Sequence, residues 1–276
     1  MSTNGNTPVI IAVANRKGGC GKTATAVNLG VALTNENYKV LIIDLDSQAN
    51  LTTHLGKGLK PFSLTSSDFL VSSIIGKKVN YSDVVLGRGE NLRIIPANDT
   101  LADAETMLQA EMIKRNGKPY DLLQKSMDTI NENFDYIIID TPPGEGLILR
   151  NALAAAHYVL MPGKTDAGSM EGFKRIVRIV QKEIIPFNPR LKLLGIVATM
   201  YNPRTHLANA FTDYVRKQYP NALLNAKIRQ DIKIPEAHLK GVSIFEYQPY
   251  SNGAYDYTQL MFEIIAKTGR RAGQQS

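Results

Sequence analysis

Tryptophan is absent from the 276 residues, and cysteine occurs once, at Cys20. A lone thiol cannot close an internal disulfide, so no covalent staple is expected and a reducing compartment fits. Nor can it supply the paired thiolates that a metal-cluster carrier uses. The opening MSTNGNTP is polar and lacks an apolar signal core, and no apolar run elsewhere approaches a membrane span. A cytoplasmic protein with no membrane partner is expected. Internal repeats and low-complexity tracts are also missing. Negative charge is the scarcer sign: 25 Asp and Glu face 32 Lys and Arg, a formal net charge of +7. That excess favours a polyanionic partner such as nucleic acid, or else only a solvated basic surface.

What is present is a βα rhythm. Short, nearly continuous apolar runs read as strands buried on both faces: Val9–Ala14, Lys39–Asp44, Leu92–Pro96, Phe134–Asp140, Tyr158–Met161 and Leu193–Met200. Helical periodicity fills the spaces at Lys22–Leu33, Ala102–Ile113, Tyr120–Asn131, Met170–Glu183 and His206–Gln218. The expected fold class is α/β, a mostly parallel central sheet covered by helices. Residues 56–89 are the least regular stretch.

Between the first strand and the first helix lies Asn15-Arg16-Lys17-Gly18-Gly19-Cys20-Gly21-Lys22-Thr23, the context that a phosphate-binding loop requires. The glycines let successive N–H groups curl around phosphate oxygens, and the helix start adds a favourable dipole. Lys22 can reach the β and γ phosphates, and the Thr23 hydroxyl can hold Mg²⁺. Arg16 occupies the place where the standard loop has its first glycine. Cys20 sits at the variable position: a thiol beside a helix N-terminus can be acidic, but small filler is the plainer reading. Two more strands deliver acids to the same edge of the sheet, in Asp44-Leu45-Asp46-Ser47-Gln48 and in Asp140-Thr141-Pro142-Pro143. An aspartate that ends an apolar strand, as Asp140 does, is the usual form of a Mg²⁺-supporting residue.

The loop has the form KGGxGK[ST], and with DxDSQ and DTPP it resembles the deviant Walker A loop of the ParA/Soj/MinD family of positioning ATPases. The resemblance continues through LRIIPANDTLADAE, NALAAAHYVLMP, TMYNPRT and IPEAHLKGVSIFEY, so it covers most of Pro8 to about Tyr257. It implies a P-loop NTPase fold in one ATPase domain over residues 8–268, between a flexible N-terminus (1–7) and a disordered tail (269–276). It further implies ATP and Mg²⁺ as cofactors and a homodimer formed on ATP binding. Lys17 would reach across the dimer to the partner's ATP, its cationic head otherwise facing solvent. By the same resemblance Lys17, Lys22 and Asp46 are catalytic, with Asp46 orienting the attacking water. Residues 17–24 line the phosphates, and Ala24 stands where relatives often carry a second Thr. Thr23, Asp44, Asp46 and Asp140 form the metal-supporting set. Adenine is expected against Met200–Asn202 and Ile228–Pro235, with Met200 and Ile228 named.

Family members bind DNA non-specifically, and basic residues gather late in this chain. Lys174, Arg175, Arg178 and Lys182 share one helix; Arg204, Arg216, Lys217, Lys227, Arg229, Lys233 and Lys240 follow. Of these, Lys174, Arg175, Arg178, Arg204, Arg216, Lys217 and Arg229 are the candidates for DNA contact. No base-reading module is evident. The implied function is a slow ATPase timer that rides the nucleoid and positions a plasmid, a chromosome or a carboxysome. A ParB-like or McdB-like adaptor would reset it. The alternative is a MinD-like membrane switch using Leu260–Lys267 with Arg270 and Arg271, a segment that reads instead as a packed closing helix.

Overall fold

The structure is a computed structural model that describes residues 7–56 and 60–270. The strands are β1 (Val9–Val13), β2 (Val40–Asp44), β3 (Leu86–Arg88), β4 (Leu92–Ile95), β5 (Tyr136–Asp140), β6 (Tyr158–Lys164), β7 (Lys192–Tyr201) and β8 (Leu223–Arg229). They form one sheet in the order β3-β4-β2-β5-β1-β6-β7-β8, parallel except for the β3–β4 pair. This is the helix-covered, mostly parallel sheet of the P-loop NTPases.

Helices α1 (Lys22–Asn35), α2 (Asn50–Leu55), α3 (Ser66–Val71), α4 (Tyr81–Val84) and α5 (Leu101–Lys114) occupy the first half of the chain. Helices α6 (Leu122–Met127), α7 (Leu147–Ala155), α8 (Ala167–Ile179), α9 (His206–Gln218), α10 (Lys233–Lys240), α11 (Ile244–Tyr247) and α12 (Asn252–Thr268) complete it, and α8 runs on into a π-helical turn, Val180–Ile184. Two apolar clusters sandwich the sheet. One gathers Leu41, Ile43, Ile137, Ile139, Phe173 and Phe211; the other gathers Ile42, Ile138, Leu29, Leu33, Leu260 and Ile264. Alternate residues of β2 and β5 therefore feed opposite layers, which is why both strands are apolar up to their closing aspartate and buried at every position.

Several elements depart from expectation. β8 escapes a search for continuous apolar runs because it is an edge strand: Leu224, Ala226 and Ile228 are buried, while Asn225 between them is exposed. The Tyr120–Asn131 expectation shrinks to α6. The Met170–Glu183 helix begins at Ala167, where the Asp166 carboxylate accepts from Ser169 N. The Ile228–Pro235 segment, expected as a loop against adenine, holds the end of β8 and the start of α10, since proline fits a first helical turn. At the far end Gly269 closes α12 in a left-handed conformation (φ 69°). Arg270 is also placed, pairing with Asp135 at 2.8 Å and donating to the Thr7 carbonyl at 3.1 Å. The rest of the tail expected from residue 269, and of the N-terminus expected up to residue 7, lies outside the described residues.

The sheet order places two acid-bearing strand ends beside the end of β1, which leads into the loop. Val13 of β1 pairs with Asp140 of β5, and Asp44 of β2 pairs with that same Asp140. The chain leaves β1 to one side through α1 and crosses back over it between β5 and β6. The crevice at β1's C-terminal end is thus the switch point at which parallel sheets bind ligands.

Candidate phosphate-binding site

Two strands pin the loop between β1 and α1 by hydrogen bonds. Asn15 Nδ2 donates to the Pro162 carbonyl of β6 at 2.8 Å, while its Oδ1 accepts from Lys17 N at 3.1 Å. From β7, Thr199 Oγ1 donates to the Cys20 carbonyl at 2.8 Å. Gly21 caps α1 with φ 87°, a left-handed conformation that a side chain would strain, and no side chain caps the helix start. Its first-turn amides are therefore open to an anion, as phosphate sites at helix N-termini require. Lys22 is buried beneath the loop and its Nζ donates to the Lys17 carbonyl at 3.2 Å. Burial pushes the Cys20 thiol up despite the neighbouring Lys22, so the acidic-thiol reading of Cys20 is not supported.

The three aspartates have different surroundings. Asp44 accepts from Asp46 N (3.1 Å), Thr52 N (2.9 Å) and Thr52 Oγ1 (2.7 Å). Burial outweighs those bonds and raises it to about 6. Asp46 is buried, and one oxygen accepts from Gln48 N at 3.0 Å. Asp140 is wholly buried, and neither carboxylate oxygen has a hydrogen-bond partner. Burial first, then the charge of Asp44, raise it well above the ordinary range; Thr23 and Lys22 pull the other way. The Thr23 hydroxyl is thus close enough to favour the anion while falling short of a well-formed hydrogen bond to it.

An unpartnered buried carboxylate beside a lysine and a threonine suits a hydrated divalent cation. Among the described residues no cluster of three or more His, Cys, Asp or Glu side chains makes a metal cage. A donor set of this kind fits Mg²⁺, which keeps several waters and takes most of its remaining oxygens from phosphates.

A cavity of about 440 Å³ runs along the loop past Lys22, Thr23, Asp46, Gln48 and His54. A second, of about 210 Å³, adjoins it between Gly21, Ala24, Met200, Ile228, Pro235 and Tyr257. The first has the polar groups for phosphates, and the second offers the apolar walls that a planar base needs. A larger hollow of about 610 Å³ near Arg88 and Glu246 has no comparable set of amides, lysines and acids.

Lys17 corrects an expectation. Its head does not simply face solvent: Nζ lies 2.5 Å from Asp166 Oδ2, with the two side chains 34% and 25% exposed. Gly168 makes room for it, since an added Cβ would fall 3.1 Å from Nζ. Burial pushes the Asp166 carboxyl up, but the bonds from Lys17 and Ser169 N prevail and hold it below its usual value. Asn15 and Thr199 lie in quoted segments that assign them no role, and Asp166 and Thr52 escape the motif reading. Of those last two, Asp166 leaves a local trace, an acid just before a helical stretch.

Lys174, Arg175 and Arg178 are exposed along α8, and Arg204, Arg216 and Lys217 are exposed at either end of α9. The two helices meet through the Phe173 and Phe211 rings, with centroids 5.9 Å apart. Glu171 lies 3.9 Å from Lys174 and 3.4 Å from Arg175. Arg229 stands apart on β8, its guanidinium forked onto Asp256 at 2.7–3.1 Å.

A family model described as an AAA domain matches residues 9–193. The chain is 35% identical over 261 residues to the sporulation initiation inhibitor protein Soj of Bacillus subtilis, covering 93% of this chain and 98% of that one. It is 31% identical over 260 residues to the chromosome partitioning protein ParA of Caulobacter vibrioides, covering 94% of each. Among solved structures it resembles cobyrinic acid a,c-diamide synthase of Mycobacterium smegmatis with a bound ATP analogue and magnesium. That match has a TM-score of 0.75 and 29% identity over 96% of this chain and 98% of the other.

Proposed function

The chain belongs to the ParA/Soj/MinD family of P-loop ATPases, and from that premise we propose that it binds and slowly hydrolyses Mg·ATP, pairing with a second copy while ATP is bound. The observation that carries this reading is the Asp140 carboxylate, buried without a partner beside Lys22 and Thr23 at the head of α1. Magnesium, when bound, would supply charge neutralisation. The α1 amides and Lys22 hold the phosphates, Thr23 and Asp140 orient the hydrated metal, and Asp46 aligns the attacking water. Ala24, Met200 and Ile228 line the base pocket.

Lys17 then changes partner, from Asp166 of its own chain to the phosphates held by the other copy. The α8–α9 basic surface, doubled in the pair, binds duplex DNA without reading sequence, so the protein rides the nucleoid and positions a plasmid, chromosome or other large cargo. An adaptor of ParB or McdB type restarts the cycle by stimulating hydrolysis. Residues 8–268 act in this as one ATPase domain. A membrane-lying closing helix finds no support, because Leu260, Met261 and Ile264 of α12 are buried in the same cluster as Leu29 and Leu33 of α1. Among the described residues no helix is long and apolar enough to cross a membrane.

Co-sedimentation tests the reading: with a non-hydrolysable ATP analogue the protein should pellet with duplex DNA and not with liposomes, and with ADP it should pellet with neither. Equal DNA binding with both nucleotides, or binding to liposomes, contradicts it.

A further inference from the structure

The turn after Asp140 borders the cavity along the loop through Pro143, across from Lys22 and Thr23, and its backbone is held from three directions. Gly144, at φ 103°, donates its N–H to the Arg16 carbonyl at 3.0 Å. Glu105 of α5 accepts from Leu147 N at 2.6 Å and Ile148 N at 3.0 Å, closing the start of α7. Arg150, one turn into α7, reaches back with Nη1 to the Glu145 carbonyl and, at 3.3 Å, to that of Gly146.

The rest of the Arg150 guanidinium is engaged elsewhere. Nε and Nη2 fork onto Glu183 at 2.9 and 3.0 Å, and Tyr120 Oη donates to that carboxylate at 2.8 Å. Glu183 sits in the π-helical turn that extends α8, a distortion often found beside functional sites. The bonds from Arg150 hold its carboxyl down at about 2, so the charge persists at all ordinary pH. Glu145 has a second contact, its carboxylate 3.1 Å from Arg16. Those two side chains are 48% and 34% exposed, whereas Arg150 and Glu183 are 15% and 28% exposed. A wet, single-contact pair contributes about 0–1 kcal/mol. A shielded bidentate fork is stronger and fixes direction as well.

We propose that Arg150 is a positioning residue for ATP hydrolysis: anchored by Glu183 and Tyr120, it fixes the Glu145 and Gly146 carbonyls and so sets the Pro142–Gly144 turn against the terminal phosphate. Arg16 is the adjustable contact and Arg150 the fixed one. The inference rests on the ATPase reading above. It adds that the start of α8 is tied to the phosphate loop through Asp166 and Lys17, and its π-helical close to the segment after the Pro142–Gly144 turn through Glu183 and Arg150.

The test compares Arg150→Gln, Arg150→Lys and Glu183→Gln with the natural protein, measuring kcat and KM for ATP, the Kd of a fluorescent ATP analogue, and thermal unfolding. Glu183→Gln keeps the shape and the Tyr120 contact, so it reports even where an Arg150 variant folds poorly. A displaced turn should lower kcat about tenfold or more with analogue Kd within about twofold, because misplacement of this kind acts on the reacting geometry. Arg150→Lys should recover only part of kcat, since it restores charge without the fork. Unchanged kcat in the folded variants overturns the proposal, as does a loss of kcat that only tracks unfolded protein. If the natural protein itself turns over no ATP, with or without duplex DNA, the ATPase reading fails instead.

Discussion

Asp140 carries a cost in the ligand-free protein. A buried carboxylate with no donor destabilises the fold, and its neighbours Asp44 and Asp46 add like charge. Asp140→Asn should therefore raise the melting temperature of the ligand-free protein while abolishing the further rise that Mg·ATP gives the natural chain. Calorimetric melts with and without Mg·ATP check both; a lower ligand-free melting temperature contradicts the assignment. Asp46→Ala should keep nucleotide and pairing but lose hydrolysis, which single-turnover assays read directly. His54 supplies a pH effect. Its Nε2 meets the Val242 carbonyl at 2.9 Å, its ring stacks edge-on with His238, and burial lowers it to about 4. A lowered histidine contributes stability above its unfolded value near 6.5 and loses it as pH falls towards 4, roughly 2 kcal/mol between pH 7 and 5. His54→Gln should flatten that slope in urea titrations. The comparison between the two proteins removes the opposing effect of Asp44, whose raised value favours the fold as pH falls through 6.

At the scale of elements, α8 is fixed by single atoms. Gly163 of β6 lets Phe173 approach so closely that an added Cβ would lie 2.2 Å from its Cζ. Gly163→Ala should destabilise by about 1–3 kcal/mol in urea unfolding. Asp166 both caps α8 and holds Lys17, one oxygen for each. Asn caps helices as well as Asp but carries no charge. Asp166→Asn should leave α8 intact and free Lys17, so that pairing with an ATP analogue needs about two- to fivefold less protein, the worth of a half-exposed ion pair. Weaker pairing in light scattering contradicts a competing hold on Lys17. The sequence made the loop, Asp44, Asp46 and Asp140 legible because each lies in a short segment whose residue types carry the chemistry. Asp166 and Glu183 were not legible as partners: they lie 149 and 33 positions from Lys17 and Arg150, and only the crossing order of the strands brings them close. Helices α2 and α11 span one or two turns, too short for a periodic signal, and β8 alternates as an edge strand does.

For the whole molecule, the excess of positive charge gains meaning only if two copies act together. Six to ten phosphate contacts lose roughly 10³ to 10⁵ in affinity between 50 and 200 mM salt, so a surface doubled by pairing separates bound from free far more sharply than one copy can. Helices α8 and α9, which carry exposed cations, pack into the same apolar layer on one side of the sheet, and Lys17 holds the start of that α8. Loss of Lys17 from Asp166 on pairing would thus be felt at the base of the basic helix that the proposed function sets against DNA. The direct measurement is molar mass by light scattering, with ADP and with a non-hydrolysable ATP analogue, for the natural chain and Lys17→Ala. The natural chain should stay at its 30.4 kDa monomer mass with ADP and reach twice that with the analogue, while Lys17→Ala stays monomeric in both. One mass for the natural chain whichever nucleotide is present, or full pairing by Lys17→Ala, would contradict assembly controlled by that lysine.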